Sequence, residues 1–392
     1  MRENNCIHLW FPNLFNLKGG IQVYLQDLLQ GLNEELTNSK ITVFNKLDAT
    51  KPNDKFDSEN LEFRFSGNVP NLLQLPHFVG NLITRAFIDK PKLIVCGHLN
   101  FAPIAFLIHR LTGIPYWICV YGADAWDIQD KWKKQALHSA EKIISISGYT
   151  SDRLIREQVL NPQKISLLPV TFDASRFKIA PKPTHLLERY GLSPEQPIIL
   201  TVGRLASAER HKGYDQVIQS LPTIIQELPN IHYLIVGKGD DRTRVEQLIQ
   251  SLNLQRYVTL AGFIPDAELA DHYNLCDIFA MPSKAEGFGI VYLEALACGK
   301  PTLGGDRDGA IDALCHGEVG VLVNPNDVNA IAKSIIQVLQ GTHPNLAIYQ
   351  AEKLRQKVIE TYGVERFKKT LAHHIAKVKN SSATTASKIL FS

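Results

Sequence analysis

The sequence has little of what marks a secreted, disulfide-bonded or membrane-spanning protein. Its six cysteines stand apart, at positions 6, 96, 119, 276, 298 and 315, and none forms a CxxC pair or shows zinc-ligand spacing. No apolar run approaches the ~20 residues that a spanning helix requires. Residues 1–5 lead directly into a strand-like segment without the long apolar region of a secretory signal. These absences predict reduced, buried thiols and a cytoplasmic location, with at most peripheral contact with the inner face of a membrane.

Charge of one sign is also scarce. The formal net charge is only +3, and 21% of the residues are charged. Such a balance gives no support to a nucleic-acid partner, which calls for a strongly basic surface. It leaves room for a local basic patch that faces phosphates or anionic lipid. The hydrophobic content of 45% is ordinary for a soluble globular protein.

Short apolar segments alternate with segments of helical periodicity along most of the chain. Several of them are continuously apolar, which is typical of strands buried on both faces of a parallel sheet. The pattern predicts an α/β fold of βαβ units. The predicted strands are Cys6–Trp10, Ile41–Phe44, Leu93–Cys96, Tyr116–Val120, Lys142–Ile146, Ile165–Leu168, Ile198–Val202, Ile231–Val236, Val258–Leu260, Ile278–Met281, Pro301–Leu303 and Val321–Val323.

A chain of 392 residues exceeds what one hydrophobic core usually organises, so we expect two domains. The alternation is interrupted between Pro169 and Pro197, a proline-rich stretch without a long periodic element. We therefore predict a first domain over residues 1–175 and a second over residues 176–363. Gly363 divides the last helical stretch, and the helix at 364–379 is expected to pack back on the first domain. The Ser/Thr-rich residues 380–392 are predicted to be disordered.

The most informative motif is the segment 282–301, PSKAEGFGIVYLEALACGKP, which follows a predicted strand and enters a helix near Gly289. Amide groups at a helix start, with glycines that allow close approach, form a site for phosphate. Glu286 lies before the helix, and Glu294 lies about two turns further on roughly the same side. Two carboxylates so placed can hold two hydroxyl-bearing groups of one long ligand. Taken singly, each could be only a helix cap or a solvated side chain.

This string resembles the Glu-x7-Glu motif of the retaining glycosyltransferases of family 4, the GT-B "group 1" enzymes. The resemblance covers most of the chain and is strongest between residues 198 and 323. It implies two Rossmann-like domains with parallel sheets that face each other across an interdomain cleft. It also implies that Glu286 contacts hydroxyls of the transferred sugar and that Glu294 holds the ribose hydroxyls of the nucleotide. The backbone of four residues is expected to approach the sugar and the distal phosphate: Gly287, Phe288, Gly289 and Ile290.

Two cations follow the predicted strand Ile198–Val202. The strand ends at Gly203, and the next loop contains Arg204 and Lys212. Fixed cations stabilise the negative charge that grows on a departing diphosphate. The two residues resemble the family's Arg/Lys pair, which replaces the divalent metal of other glycosyltransferases, and no Asp-x-Asp element suggests a metal site. The resemblance therefore implies no metal and no cofactor. Alone, the two side chains would be read as solvated loop cations.

Further loops resemble the donor-side loops of the family. Gly237, in the sequence VGKG, and the backbone of Phe263 and Ile264, in AGFIP, are expected to lie beside the nucleotide. Backbone contacts depend little on the identity of the side chains, so the sequence of these loops does not show which base is bound. Gly20 opens the first predicted helix, and a glycine pair there allows the backbone to approach the donor phosphate or the acceptor. A simple turn is an equal alternative for that pair.

Candidates for the acceptor side follow two strands of the first domain. Many relatives carry His-Gly where this sequence has Tyr121-Gly122, so no histidine role is carried over here, but the Tyr121 phenol can still hydrogen-bond and stays a candidate contact for the sugar or the acceptor. Asp124 is the better candidate for an acceptor contact, with a turn-capping role equally open. His98 could approach the cleft or serve a structural purpose. The segment 71–92 mixes apolar and basic residues; a helix packed on the sheet is favoured over one that touches a membrane.

Together with these observations, the resemblance implies a retaining, metal-independent enzyme that moves a sugar from a UDP- or GDP-linked donor to a hydroxyl acceptor. The acceptor would be a glycan, a glycolipid precursor or another hydroxyl compound, in polysaccharide or glycoconjugate biosynthesis. No side chain stands out as a dedicated base. Two alternatives stay open: another GT-B activity, such as an epimerase or a phosphorylase, and a protein that binds nucleotide sugars without turnover. The replacement at Tyr121 is the only support for the second.

Overall fold

The structure is a computed structural model that describes residues 5–16, 19–52 and 56–389. The chain divides into two compact units. Unit 1 contains the residues up to Val170 and the segment from Phe367 onwards, and unit 2 is Thr171–Arg366. The division after Val170 lies before the predicted boundary at 175, because Phe172 is buried and forms a parallel bridge with Gly363 inside unit 2.

Unit 1 is built on a sheet of seven parallel strands in the order β3-β2-β1-β4-β5-β6-β7. The strands are β1 (Cys6–Phe11), β2 (Lys40–Asn45), β3 (Leu61–Phe65), β4 (Leu93–Cys96), β5 (Tyr116–Val120), β6 (Lys142–Ser145) and β7 (Ile165–Leu167). The helices of this part of the chain are α1 (Gly20–Glu35), α2 (Asn71–Asp89), α3 (Ala102–Thr112), α4 (Lys131–Ser139) and α5 (Gly148–Gln158). The central strands are fully buried, as their continuously apolar sequences predict.

The C-terminal helix, α14 (Val364–Ile389), contributes to unit 1 from Phe367. A Cβ on Gly31 of α1 would come within 2.6 Å of the Leu371 side chain, so the glycine permits close packing of the two helices. The Lys368 ammonium pairs with Glu34 at 2.8 Å. The helix continues through residues 380–389, where the sequence predicts disorder, because no glycine or proline interrupts it after Gly363. Residues 390–392 of that predicted tail lie outside the described residues.

Unit 2 contains six parallel strands in the order β10-β9-β8-β11-β12-β13. They are β8 (Ile198–Val202), β9 (His232–Val236), β10 (Val258–Gly262), β11 (Ile278–Met281), β12 (Thr302–Gly305) and β13 (Val321–Val323). The helices are α6 (Thr184–Tyr190), α7 (Tyr214–Glu227), α8 (Arg242–Ser251), α9 (Asp266–Leu275), α10 (Ile290–Ala297), α11 (Ala310–Ala313), α12 (Val328–Leu339) and α13 (Ala351–Tyr362). The predicted α/β fold with two Rossmann-like domains is confirmed.

The strand order of unit 2 reverses between β8 and β11. From β8 the chain adds β9 and β10 on one side, and from β11 it adds β12 and β13 on the other. Open α/β sheets bind ligands at the carboxyl ends of the strands at such a reversal. The loops that follow β8 and β11 carry Arg204, Lys212 and Glu286, so the topology brings the two strongest sequence signals to one edge.

Candidate functional site

The two loops meet through a direct ion pair. The Lys212 ammonium donates to Oε2 of Glu286 at 2.9 Å. The side chains are 15% and 20% exposed, respectively, so the pair is largely enclosed by protein. Lys212 ends the 3-10 turn Ser207–Lys212 after β8, and Glu286 lies in the loop between β11 and α10. The structure therefore joins two residues that are 74 positions apart in the sequence.

A glycine allows the loops to approach so closely. Gly213, directly after Lys212, has a φ of +85° and is the N-cap residue of α7. A Cβ at this position would collide with the backbone carbonyl of Pro282, so any other residue would push the loops apart. The amide of Lys284 also donates to the carbonyl of His211 at 2.8 Å. These contacts fix the position of Lys212 relative to Glu286.

Arg204 is held differently from Lys212. Its guanidinium pairs with Oε1 of Glu209, while its side chain is 70% exposed. Glu209 itself is only 14% exposed, and its Oε2 lies 3.7 Å from the Lys212 ammonium. Glu209 thus stands between the two predicted cations. Sequence reasoning missed it, because a glutamate in a charged loop carries no signal until the 3-10 turn places it.

The charges of this cluster reinforce one another. Burial alone would lower the pKa of Lys212, but the nearby carboxylates of Glu286 and Glu209 outweigh it and raise the pKa. Burial would likewise raise the pKa of Glu286, but the charge and hydrogen bond of Lys212 bring it below its usual range. Burial and the charge of Lys212 lower the pKa of His211, which favours the neutral imidazole. Both members of the Lys212–Glu286 pair are therefore charged at neutral pH.

Asp308 fixes the loop that carries Glu286 through hydrogen bonds, and the sequence did not predict this role. Its buried carboxylate accepts from the Glu286 amide and the Ser283 hydroxyl, both at 2.7 Å, and from the Ala310 amide at 3.0 Å. Burial raises the pKa of Asp308 to about 6, although these hydrogen bonds oppose the rise. The sequence GGDRDG, which begins at the end of β12, did contain a usable signal, because its second aspartate is Asp308.

The start of α10 is shaped as the motif predicts. Gly289 precedes the helix with a φ of +89°, and no side chain caps the first amides. A Cβ at Gly289 would press on the ring of Tyr292, at 2.5 Å. Phe288 is buried against Tyr362, with ring centroids 5.2 Å apart, so its side chain serves the packing of unit 2. The predicted ligand contacts of Gly287, Phe288, Gly289 and Ile290 stay predictions.

Glu294 lies on the same helix and is held by an aromatic hydroxyl. The buried Tyr273 donates its hydroxyl to Oε2 of Glu294 at 2.6 Å. Burial raises the pKa of Glu294 to about 7, because it outweighs this hydrogen bond and the charge of Arg176. The two glutamates of the motif are thus electrostatically distinct: Glu286 is paired with a cation, whereas Glu294 is paired with a neutral phenol.

The glycines at the ends of β8 and β9 pack backbone against backbone. The Gly203 amide donates to the Val236 carbonyl at 2.9 Å, and the Gly237 amide donates to the Gly262 carbonyl at 2.8 Å. A Cβ on Gly237, whose φ is +144°, would collide with the carbonyl oxygen of Gly203. Both glycines therefore have a steric role in unit 2, whether or not they also contact a nucleotide.

The neighbouring loop after β10 presents an exposed aromatic ring. Phe263 is 64% exposed, and the Lys238 ammonium lies 5.1 Å from its ring centroid. Ile264 follows it and is half-buried. An exposed ring beside a cation provides a flat, electropositive edge, and the predicted donor contacts of both residues stay predictions.

In unit 1, Gly20 and His98 lie at the predicted element ends. Gly20 is the first residue of α1, and a Cβ there would meet no atom of the described residues within 4 Å. His98 accepts the Asn100 amide on Nδ1 at 3.1 Å, which caps the 3-10 turn Leu99–Phe101. Burial and the charge of Lys133 lower the pKa of His98. This cap is the structural alternative that the sequence left open.

Tyr121 and Asp124 form a tight turn after β5. The Tyr121 side chain is 7% exposed, and its hydroxyl donates to the Gly97 carbonyl at 2.9 Å, so it supports the packing of unit 1. Oδ1 of Asp124 accepts the Tyr121 amide at 2.9 Å. Oδ2 of Asp124 is buried and has no hydrogen-bond partner among the described residues. Burial raises the pKa of Asp124 to about 6. An acceptor contact at Asp124 stays a prediction.

Three observations bear on metals, thiols and membranes. Across the ranges that the structure describes, no three His, Cys, Asp or Glu side chains are grouped as a metal site requires. The six cysteines are free thiols, and all but the half-buried Cys315 are buried. Within the same ranges, no helix has both the length and the apolar character needed to cross a bilayer. α2 buries Phe78 and Leu82 in the core of unit 1.

The two Rossmann-like units and the Glu-x7-Glu helix define an α/β protein of the GT-B class. Residues 18–176 match the family described as Glycosyltransferase Family 4, and residues 185–360 match the family described as Glycosyl transferases group 1. The chain therefore belongs to the family 4, group 1 glycosyltransferases.

Individual relatives are similar over part of their length. The chain is 32% identical over 213 residues to the GDP-mannose-dependent alpha-(1-6)-phosphatidylinositol monomannoside mannosyltransferase of Mycolicibacterium smegmatis. The match covers 52% of this chain and 54% of that protein, so the chain spans about half the length of the curated relatives that it matches.

Solved structures share the fold over nearly the whole chain. Anabaena Alr3699/HepE in complex with UDP is 20% identical with a TM-score of 0.75, and the match covers 95% of this chain and 99% of that one. Sucrose-phosphate synthase from Thermosynechococcus elongatus is 22% identical with the same TM-score of 0.75, with coverages of 97% and 100%. At these identities the likeness shows the fold alone.

Proposed function

We propose that the protein is a glycosyltransferase that moves a sugar from a nucleoside diphosphate sugar to a hydroxyl group of an acceptor. The observation that carries the proposal is the enclosed Lys212–Glu286 ion pair at 2.9 Å. It unites the cation of the β8 loop with the first glutamate of the Glu-x7-Glu motif at the topological switch point of unit 2. A site that binds a sugar beside a phosphate needs such a carboxylate next to such a cation.

In this proposal the chain stabilises the departing diphosphate electrostatically. The bond between the anomeric carbon and the diphosphate oxygen breaks, and the acceptor oxygen forms a bond to that carbon on the same face. The acceptor proton passes to the departing diphosphate, so configuration is retained and no side chain acts as the base. Lys212 and Arg204 stabilise the charge that develops on the leaving group. Glu286 holds hydroxyls of the sugar.

Glu294 is proposed to hold the ribose. Its ionised carboxylate would accept hydrogen bonds from the two ribose hydroxyls, while Tyr273 fixes its orientation at 2.6 Å. The exposed ring of Phe263 and the backbone of Ile264 are proposed to lie against the base.

The reaction is proposed to need no divalent metal, because Arg204 and Lys212 supply the positive charge at the leaving group. Donors linked to UDP or GDP are both compatible with the site. One relative is by name GDP-mannose-dependent, and one solved neighbour is a complex with UDP. Activity that EDTA abolishes and magnesium or manganese restores would contradict the metal-free proposal.

The acceptor is proposed to be a glycan, a glycolipid precursor or another hydroxyl compound, in polysaccharide or glycoconjugate biosynthesis. Leu72, Leu73 and Leu75 at the start of α2 are exposed, with Leu72 91% exposed. An exposed apolar edge fits peripheral contact with a membrane that carries the acceptor, on the cytoplasmic side.

The test is a donor panel followed by an acceptor panel. UDP- and GDP-linked sugars are screened by thermal shift, because a ligand at 100 times its dissociation constant adds about 2.7 kcal/mol of stability. Release of UDP or GDP and transfer to soluble and lipid-linked acceptors are then measured with and without EDTA. We expect a donor that both binds and turns over. Binding without hydrolysis or transfer would favour the non-catalytic alternative.

A further inference from the structure

The charged groups around Arg204 balance one another. Two cations, Arg204 and Lys212, lie beside two carboxylates, Glu209 and Glu286. His211 is neutral, because burial and the charge of Lys212 lower its pKa. A diphosphate that enters this site therefore does not meet two unpaired cations. The diphosphate must compete with the Glu209 carboxylate for the Arg204 guanidinium.

The two cations differ in how firmly they are held. Lys212 is enclosed and donates to Glu286 at 2.9 Å, and its stem packs near Gly203, where a Cβ would lie 3.0 Å from the Lys212 Cδ. Arg204 is 70% exposed and is held by Glu209. The Arg204 guanidinium is solvated, and Glu209 keeps the Lys212 ammonium 3.7 Å away, so exchange of the Arg204 partner isolates neither charge. Arg204 is the cation that is free to change partners.

The carboxylate of Glu209 is only partly satisfied by its neighbours, which favours an exchange of partners. Its side chain is 14% exposed, and Oε2 accepts no hydrogen bond among the described residues, although the Lys212 ammonium lies 3.7 Å away. One carboxylate oxygen is thus engaged with Arg204 and the other is under-satisfied. A carboxylate that served only to fix both cations would be expected to hydrogen-bond to both.

From this arrangement, and resting on the proposed donor site, we propose that Glu209 is an anionic placeholder for the donor's phosphate. It neutralises Arg204 while the site is empty and yields Arg204 to the diphosphate on binding. Its charge remains next to the phosphates and repels them. The repulsion is stronger for the released nucleoside diphosphate than for the donor, because the product carries more negative charge. Glu209 therefore limits product retention, and it is a positioning residue for Arg204.

The test measures the binding of UDP and GDP by calorimetry. Glu209→Gln keeps a hydrogen-bond acceptor for Arg204 but removes the like charge, so it should tighten binding of the nucleoside diphosphate by about tenfold. The dependence of the dissociation constant on salt should become steeper, because the cluster then carries a net positive charge. Glu209→Asp keeps the charge and should retain the parent's affinity.

A matched control is Glu318→Gln, since Glu318 pairs with Lys357 at 2.7 Å in the same unit and is not part of the site. Its affinity should equal the parent's. If the parent binds UDP or GDP but Glu209→Gln binds it equally well or more weakly, the placeholder is refuted and the donor site stands. If the parent binds neither nucleotide, the proposed donor site is refuted, and the proposed role of Glu209 is refuted with it. Should Glu209→Gln fold poorly, weaker binding by a folded Glu209→Asp would overturn the proposal, and parent-like binding would support it.

Discussion

Removal of each cation separately tests the proposed chemistry against the observed packing. The substitutions Lys212→Met and Arg204→Met each remove one charge and retain a long side chain. If both cations stabilise the leaving diphosphate, each variant should lose at least the ~10²-fold in turnover that loss of one preformed charge stabiliser causes. Single-turnover rates at saturating donor are the measurement, because they exclude effects on donor binding and product release.

The same variants should differ in stability. Lys212→Met leaves Glu286 without its cation in an environment where that carboxylate is 20% exposed. Breaking a fully buried pair costs about 3–5 kcal/mol, and breaking a surface pair costs about 0–1 kcal/mol. This pair lies between the two, so we expect a loss of about 2–3 kcal/mol. Arg204 is 70% exposed, and its partner Glu209 keeps the Lys212 ammonium at 3.7 Å when Arg204 is replaced, so we expect a smaller loss of about 1 kcal/mol.

Thermal unfolding of unit 2 reports this difference. For a domain of this size, a loss of about 2–3 kcal/mol lowers the melting temperature by about 4–12 °C. The double variant Lys212→Met with Glu286→Gln removes the unpaired charge and should regain most of that temperature, while turnover stays low. Equal melting temperatures for Lys212→Met and Arg204→Met would refute the enclosed ion pair. Turnover at the parent's rate in both variants would refute their role at the leaving phosphate.

Two further predictions concern the residues around the glutamate motif. Glu294→Gln should weaken UDP or GDP binding, measured by calorimetry, whereas Glu286→Gln should mainly lower turnover; an unchanged dissociation constant for Glu294→Gln would contradict the ribose assignment. Burial raises the pKa of Glu294 to about 7, so nucleotide binding should tighten as pH rises from 6 to 8, and this rise should be less steep in Glu294→Gln. The dependence that remains in the variant belongs to the terminal phosphate of the nucleotide, whose pKa is about 6. For folding the sign is opposite: a raised carboxyl pKa stabilises the folded state at low pH, and this stabilisation is lost as pH rises from about 4.5 through about 7. Asp308→Asn, which disturbs the acceptor of the Glu286 amide, should lower turnover by about tenfold and leave the dissociation constant of UDP or GDP unchanged. A parent-like rate in single-turnover assays would mean that Asp308 does not position Glu286.

Most of the fold could be predicted because the strands are short, buried and continuously apolar. Each predicted strand overlaps an observed one, and Gly363 does separate α13 from α14. β3 was missed because its sequence, LEFRF, alternates charged and apolar residues and lies at the edge of the sheet. The prediction relied on continuously apolar segments, whereas strict alternation is the pattern of a half-buried strand, so LEFRF did carry a usable signal.

The site could be predicted in part, because some of its residues are related by their spacing in the sequence and others only by the fold. Glu286 and Glu294 share one helix and its preceding loop, so their spacing alone relates them. Asp308 and Tyr273 act through contacts that only the folded chain creates. Asp308 reaches Glu286 from the loop after β12, and Tyr273 reaches Glu294 from α9. Neither pairing follows from spacing, because the distance along the chain is unrelated to the distance across the sheet.

The two cations, equivalent in the sequence, are not equivalent in the structure. Lys212 is a compact charge, enclosed and fixed by Glu286, so it can organise the sugar-side carboxylate before any donor arrives. Arg204 is long, exposed and paired with a carboxylate that a phosphate can replace. Its planar guanidinium presents two parallel N–H donors to two phosphate oxygens, a fixed geometry that an ammonium lacks. The proposed reaction uses both properties, because the carboxylate that holds the sugar must be rigid and the group that follows the departing diphosphate must move.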